Sequence, residues 1–322
     1  MPSYHPDTVS VHGWIILDKP IGLGSTQAVA AVKRALRESG AGKAKVGHGG
    51  TLDPLASGVL PVAIGEATKL AGRMLDSDKI YEFTIGFGVE TDTLDTEGQE
   101  TAASDIRPTL AEVAAVLSRF TGPIEQIPPI YSALKIDGER AYGRARAGED
   151  VEMKARAVTI HRLSICHAEL VSASMVPPAP LAEAKEELAN AVTLIAHVSK
   201  GTYIRSLARD IAAALGTVGH VTMLRRTKAG PFTLAQAISL DKLNDAARER
   251  AIAQHMLPLT AGLDDIPALP VTPEQALALR QGRVLTGDPC KQGLFLATHG
   301  TTPVALVEAL GLEIRVVRGF NL

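Results

Sequence analysis

At 322 residues, with 46% hydrophobic residues and a formal net charge of −2, the chain can bury a substantial core as one large domain plus a small one, or as two medium domains. Its two cysteines, Cys166 and Cys290, lie far apart and outside any CxxC pair or Cys/His cluster with zinc-ligand spacing, which excludes a disulfide scaffold and argues against a structural metal. The first ten residues carry no Lys or Arg and no apolar run reaches a membrane-spanning length, so neither signal peptide nor bilayer segment is expected, and the cytoplasm is the expected location.

Residues 11–17 read as a strand. Ser25 can cap a following helix whose apolar positions Val29, Val32 and Leu36 repeat at helical spacing, with Gly40 as its stop. After the glycine-rich loop 47–50, residues 58–64 read as a short buried strand and 67–75 as a helix. Tyr81, Phe83, Ile85 and Phe87 then alternate, the period of a half-buried strand. Thr109 and Glu112 form a capping box ahead of a helix carrying Leu110, Val113, Leu117 and Phe120. Residues 192–198 alternate as another strand, which leads through a basic turn into a helix carrying Ile204, Leu207, Ile211 and Leu215 and ended by Gly216. A proline-containing stretch at about 171–190 reads as an insertion, and 262–270, with Pro267 and Pro270, as a linker. Beyond it, Thr272, Pro273 and Gln275 open a short helix, and 304–307 and 314–317 read as strands. The irregular alternation of strands and helices predicts an α+β fold with a mixed sheet and packed helices.

The near-zero net charge conceals a segregation. Residues 76–105 hold nine acids and one base, Lys79, whereas 200–230 hold six bases and one acid, Asp210, a pattern that permits a nucleic-acid partner but also fits an ordinary solvated face. Gly22-x-Gly24 lacks the third glycine of a dinucleotide fingerprint, and neither a P-loop nor a Gly-x-Ser-x-Gly elbow occurs. Aromatic residues make up 4% of the chain, too few for a platform that stacks several bases.

The most unusual stretch is Gly47-His48-Gly49-Gly50-Thr51-Leu52-Asp53-Pro54-Leu55-Ala56-Ser57-Gly58-Val59-Leu60. Its glycines admit close backbone approach, and Pro54 biases Asp53 toward an extended or turn conformation, displaying a carboxylate on a stiff loop. An Asx-turn is the plain structural alternative. This loop resembles the catalytic motif of the TruB family of tRNA pseudouridine synthases. Four further blocks resemble that family in its order: Trp14-Ile15-Ile16-Leu17-Asp18-Lys19-Pro20; Tyr81 with Thr91-Asp92-Thr93-Leu94-Asp95; Pro128-Pro129-Ile130-Tyr131-Ser132-Ala133-Leu134-Lys135 with Arg146; and Ser199-Lys200-Gly201-Thr202-Tyr203-Ile204-Arg205 with Leu224-Arg225-Arg226. Together they cover about residues 11 to 230. Gly49 departs from the family, many members of which have Thr there.

The resemblance implies a pseudouridine synthase fold with a largely antiparallel central sheet over residues 1–263 and a small β-rich, PUA-like RNA-binding domain over 264–322. It implies isomerisation of the uridine at tRNA position 55, in the T-loop, with Asp53, Tyr81 and Arg205 as catalytic residues. Substrate contacts are implied for His48, Lys19, Lys69, Asp95, Tyr203, Leu224, Lys135 and Arg146. His48 would fill the space left by the flipped base, Tyr81 would stack on the uracil and Leu224 would line the pocket. The implied partner is the tRNA T-arm, with no cofactor, no metal, no membrane and no obligatory protein partner. Moving the ribose from N1 to C5 of one base is redox-neutral and needs only a nucleophile and enclosure. Whether Asp53 attacks C1′, attacks C6 or removes a ribose proton stays open. Enclosure disfavours a charged carboxylate, and Arg205, which cannot deprotonate, is the cation expected to offset this, a phosphate contact being the alternative. The basic stretch 129–156 is expected to clamp the T-arm. A tRNA chaperone needs none of Asp53, Tyr81 and Arg205, and a glycoside hydrolase usually wants a second carboxylate.

Overall fold

The computed structural model describes residues 11–132, 134–136, 139–146, 149, 152–166, 188–288 and 291–322. The chain divides into two units, one of Met1–Pro54, Gly58–Leu75 and Ala229–Leu322, the other of Leu55–Ser57 and Asp76–Lys228.

The first unit begins with β1 (Gly13–Lys19), in which only Asp18 is not buried. Helix α1 (Ser25–Glu38) turns Val29, Val32 and Leu36 inward and is followed by Gly40 at φ 81°, a conformation that glycine adopts without strain. The expected cap is displaced by one residue. Gly24 holds the N-cap position and its N–H donates to Gln27 Oε1 at 2.8 Å, because the Ser25 hydroxyl is engaged elsewhere. Strand β2 (Val46–His48) pairs antiparallel with β3 (Ser57–Ile64), which in turn pairs antiparallel with β1. The helix expected over 67–75 is a 3₁₀ turn, Gly65–Leu70, continued by α2 (Ala71–Asp76).

In the second unit, β4 (Lys79–Phe87) buries Phe83, Ile85 and Phe87 and leaves Tyr81 half-buried, the predicted alternation. A small hairpin, β5 (Val89–Thr91) and β6 (Glu100–Ala103), precedes α3 (Leu110–Val116). The capping box is as read: Thr109 Oγ1 accepts from the Glu112 N–H at 3.2 Å, and Glu112 Oε2 accepts from the Thr109 N–H at 2.7 Å. There follow β7 (Gly122–Gln126), the antiparallel pair β8 (Lys135–Ile136) and β9 (Glu139–Arg140), α4 (Ala141–Arg146), β10 (Arg156–Ile165), β11 (Ala191–Val198), α5 (Ile204–Ala214) and β12 (Gly219–Ala229). The sheet order is β12-β4-β11-β10-β7, and the pairs from β4 to β7 are antiparallel. Ile204, Leu207, Ala208 and Ile211 of α5 share one buried cluster with Phe83, Leu194, Ala196 and Val198 of the sheet, so the amphipathic period of α5 seats it on one sheet face. Of the insertion at about 171–190, only residues 188–190 fall within the described part.

The chain then returns to the first unit through β13 (Phe232–Thr233) and α6 (Leu240–Arg248). Strand β14 (Ala268–Pro270), helix α7 (Pro273–Arg280), β15 (Leu285–Thr286), β16 (Gly293–His299), β17 (Thr302–Leu310) and β18 (Glu313–Gly319) build a five-stranded sheet of order β14-β16-β17-β18-β15. Its β14-β16 pair is parallel. The fold is therefore α+β with a mixed, largely antiparallel strand arrangement and a small β-rich C-terminal sheet, as expected.

That sheet has a small core of its own, including Leu279, Val304 and Val307. Leu296, Leu306 and Phe320 instead join Trp14, Phe232 and Leu259 in a larger cluster of the first unit. Trp14 sits 5.2 Å from Phe232, centroid to centroid, and its indole N–H donates to the Leu259 carbonyl at 3.1 Å. A chain ending at Leu263 is expected to melt well below the full chain, because it uncovers this cluster. Phe320→Ala alone should cost about 3–5 kcal/mol in urea denaturation; an unchanged midpoint would show that the cluster closes without the tail.

Candidate active site

The connection between β2 and β3 carries Asp53, and the backbone is held on both sides of it. One residue before, the Ser25 hydroxyl donates to the Leu52 carbonyl at 2.9 Å and accepts from the Leu52 N–H at 2.8 Å. One residue after, the Pro54 carbonyl accepts from the Gly22 N–H at 2.8 Å and from Lys19 Nζ at 3.3 Å. Leu52 and Ala56 are buried anchors, whereas Asp53 is only half-buried. A side chain whose neighbours are fixed at 52 and 54 has little backbone freedom left, which is the physical content of preorganisation.

Lys19 is fully buried, and its ammonium also donates to the carbonyls of Pro20 at 2.9 Å and Leu23 at 2.6 Å. These contacts make it a tether between β1 and the Asp53 loop. His48 is half-buried, and its Nδ1 accepts from the Gly50 N–H at 3.4 Å. Gly49 donates its N–H to Pro61 O at 2.8 Å, and a Cβ added to it would lie 2.5 Å from Met74 Cβ. The Met74 Cβ is fixed to α2, so loop or helix must shift. Gly49→Ala is therefore expected to destabilise by about 1–3 kcal/mol in a denaturant titration. An unchanged midpoint would mean that the loop moves freely.

In the second unit, Arg205 opens α5 and is only 6% exposed. Its Nη1 donates to the Thr93 carbonyl at 2.8 Å and lies 3.5 Å from Asp95 Oδ2, and its Nη2 donates to the Tyr131 carbonyl at 3.0 Å. Asp95 is held in turn: its Oδ1 accepts from Thr93 Oγ1 at 2.6 Å and from the Glu97 N–H at 3.1 Å. The turn that presents Thr93 and Asp95 places Leu94 at φ 61°, an uncommon conformation for a buried branched residue. The Leu94 carbonyl is secured by the Val221 N–H at 3.0 Å. Gln126 clamps the backbone of half-buried Tyr203, accepting from its N–H at 3.1 Å and donating to its carbonyl at 3.3 Å. The start of α5 and the guanidinium are thus fixed from several sides.

Tyr81 and Leu224 are partly buried against the cluster beneath α5. Lys69 pairs with Glu66 at 2.6 Å and donates to the Gly319 carbonyl at 2.9 Å. Glu66 Oε2 also accepts from the Asn321 N–H at 2.8 Å, so Lys69 ties the 3₁₀ turn to the C-terminal strand. Lys135 lies on β8 and Arg146 ends α4, with side chains outside the described residues, as is much of the stretch 129–156. Within the basic run 200–230, Arg205 and Arg226 are buried, while Lys200 is exposed and paired with Asp76 at 2.8 Å.

Sequence reasoning counted Lys79 only as the one base of the acidic run; it is buried and donates to the Ser77 carbonyl. Burial above all, then Arg226 and, more weakly, Lys200, pull its pKa from 10.5 to about 8, with Asp76 and Asp78 opposing. The unfolded chain therefore holds this proton more tightly than the folded one. Below about pH 8 the penalty is fully present, and it fades as pH rises toward 10.5. Lys79→Met should stabilise the protein at pH 7 by up to about 3 kcal/mol, an advantage that shrinks between those limits. Parallel denaturation curves across that range check this; a pH-independent difference would contradict it.

The fold is shared with chains of solved structures. A chain from a Cbf5-Nop10-Gar1 complex matches over 96% of this chain and 85% of its own length, with a TM-score of 0.67 and 25% identity. A chain from an H/ACA RNP bound to a substrate RNA containing 2′-deoxyuridine shares the fold at a TM-score of 0.68 and 24% identity, over 96% of this chain and 85% of its own. Residues 34–204 match the TruB family pseudouridylate synthase (N terminal domain), and 205–264 the tRNA pseudouridylate synthase B C-terminal domain. A tRNA pseudouridine synthase B from Novosphingobium aromaticivorans is 61% identical over 97% of this chain and 98% of its own, and one from Zymomonas mobilis 60% identical over 98% and 97%. The class is thus that of enzymes converting uridine to pseudouridine. The chain belongs to the TruB family of pseudouridine synthases.

Proposed function

We propose that this enzyme isomerises the uridine at position 55 in the T-loop of tRNA, with Asp53 as the reacting carboxylate. The observation that carries the reading is the half-buried Asp53 on a loop pinned at Leu52 and Pro54, in a chain whose relatives bear the name tRNA pseudouridine synthase B. In the reaction the N1–C1′ bond breaks, the freed uracil turns, and C5 bonds to C1′. C5 gives up its hydrogen and N1 gains one, so atoms and electrons balance without a cofactor, a catalytic metal or an obligatory protein partner. The target base leaves its stack to react, at a cost of a few kcal/mol. His48 fills the vacated space, Tyr81 stacks on the uracil and Leu224 lines its edge. Arg205, positioned by Asp95 and the Thr93 and Tyr131 carbonyls, serves turnover through its fixed guanidinium fork. Residues 264–322 serve as a PUA-like RNA-binding module and the basic stretch 129–156 grips the T-arm. Carbodiimide mapping of a tRNA transcript after incubation with the pure enzyme tests the site of reaction. One new pseudouridine at position 55 is expected; modification only elsewhere would overturn the assignment.

A further inference from the structure

Outside the residues assigned to the reaction, three metal-ligating side chains meet on the sheet of the second unit. Asp78 precedes β4, His161 lies on β10 and His197 on β11, and one ligand atom from each falls within 4.8 Å of the others. The register of β10 against β11 passes from Ile160↔Val198 to Arg162↔His197. Two steps on β10 oppose one on β11, so His161 is the extra residue of a β-bulge, a feature that re-aims a side chain. His197 alternates with Ala196 and Val198, which lie in the cluster beneath α5, so its imidazole leaves the opposite sheet face. His161 Nε2 lies 3.2 Å and His197 Nε2 3.7 Å from the same oxygen, Asp78 Oδ2.

Ligand atoms about 2.0–2.2 Å from a tetrahedral zinc sit about 3.3 Å from one another. The two nitrogen–oxygen separations bracket that value. We infer that Asp78, His161 and His197 form a binding site for a divalent late transition-metal ion, zinc being the fitting representative. Two imidazoles and one carboxylate are a donor set suited to such ions, and the partial exposure of all three side chains leaves a further position for water. The ion would join β4, β10 and β11 at one end of the sheet. It stands apart from the isomerisation, which needs no metal.

Untagged full-length protein, freed of metal by dialysis against a chelator, is titrated with zinc chloride in competition with a chromophoric chelator, and its melting is followed in parallel. One equivalent should bind saturably and raise the melting temperature. His161→Gln and His197→Gln keep polar side chains at these partly exposed positions, and each should weaken binding at least tenfold. Asp78→Asn should weaken it as well, while His255→Gln, in the other unit, leaves it at the parental value. The metal-free variants should melt like the metal-free parent, which separates lost binding from lost fold. No saturable uptake by the parent, or unchanged uptake in H161Q/H197Q, overturns the site and leaves an ordinary His–Asp ion pair.

Discussion

Asp53→Asn is expected to lower pseudouridine formation by a factor on the order of 10⁴ or more, the scale on which removal of a reacting group acts, while the protein stays folded and binds tRNA. Asparagine preserves the size and shape of the side chain and removes the charge. The loop should keep its course, because Ser25, Gly22 and Lys19 grip the backbone at 52 and 54 and not the side chain between them. Single-turnover rates and tRNA affinity measured on the same preparation separate the two effects. Parental turnover by Asp53→Asn would remove the carboxylate from the mechanism. Loss of affinity in step with rate would assign it to binding.

The second large effect is expected at Arg205. Lysine keeps the positive charge but cannot reproduce a fork that donates to the Thr93 and Tyr131 carbonyls while facing Asp95. Arg205→Lys should lower turnover by about 10²-fold or more, the cost of misplacing a reacting group by about an ångström. It should leave tRNA affinity within a few-fold, since the guanidinium is buried and held by protein groups. Stability should also fall by about 1–3 kcal/mol, because two part-buried carbonyls lose their donor. Asp95→Asn distinguishes positioning from mere support. As a positioning residue, Asp95 should show a reduced kcat with KM little changed; a change confined to melting temperature would leave it a structural role alone. A normal rate in Arg205→Lys would show that turnover does not need the guanidinium fork.

Local rules carried most of the secondary structure. The Thr109–Glu112 box, the alternation from Tyr81 to Phe87 and the stop at Gly40 depend on residues within one or two turns of each other, and each appears where the pattern put it. What stayed invisible depends on partners distant along the chain. Ser25 reads as an N-cap by itself, yet its hydroxyl is engaged by Leu52, 27 residues away. Lys69 reads as a site cation, but its carbonyl partner at Gly319 lies 250 residues on. The family motifs named Asp95 and Arg205, whereas their mutual contact appears only once the turn at Leu94 and the start of α5 are in place. The Asp78, His161 and His197 group has no linear spacing to notice; neighbouring strands and one bulge assemble it.

The central claim, isomerisation of one T-loop uridine, rests most directly on the fate of the hydrogen at C5. A tRNA transcript carrying tritium at C5 of its uridines should release one equivalent per tRNA when incubated with the enzyme, because bonding of C5 to C1′ displaces that atom. A transcript with cytidine at position 55 should release none. Release undiminished by that replacement, or no release from the unaltered transcript, would contradict the account.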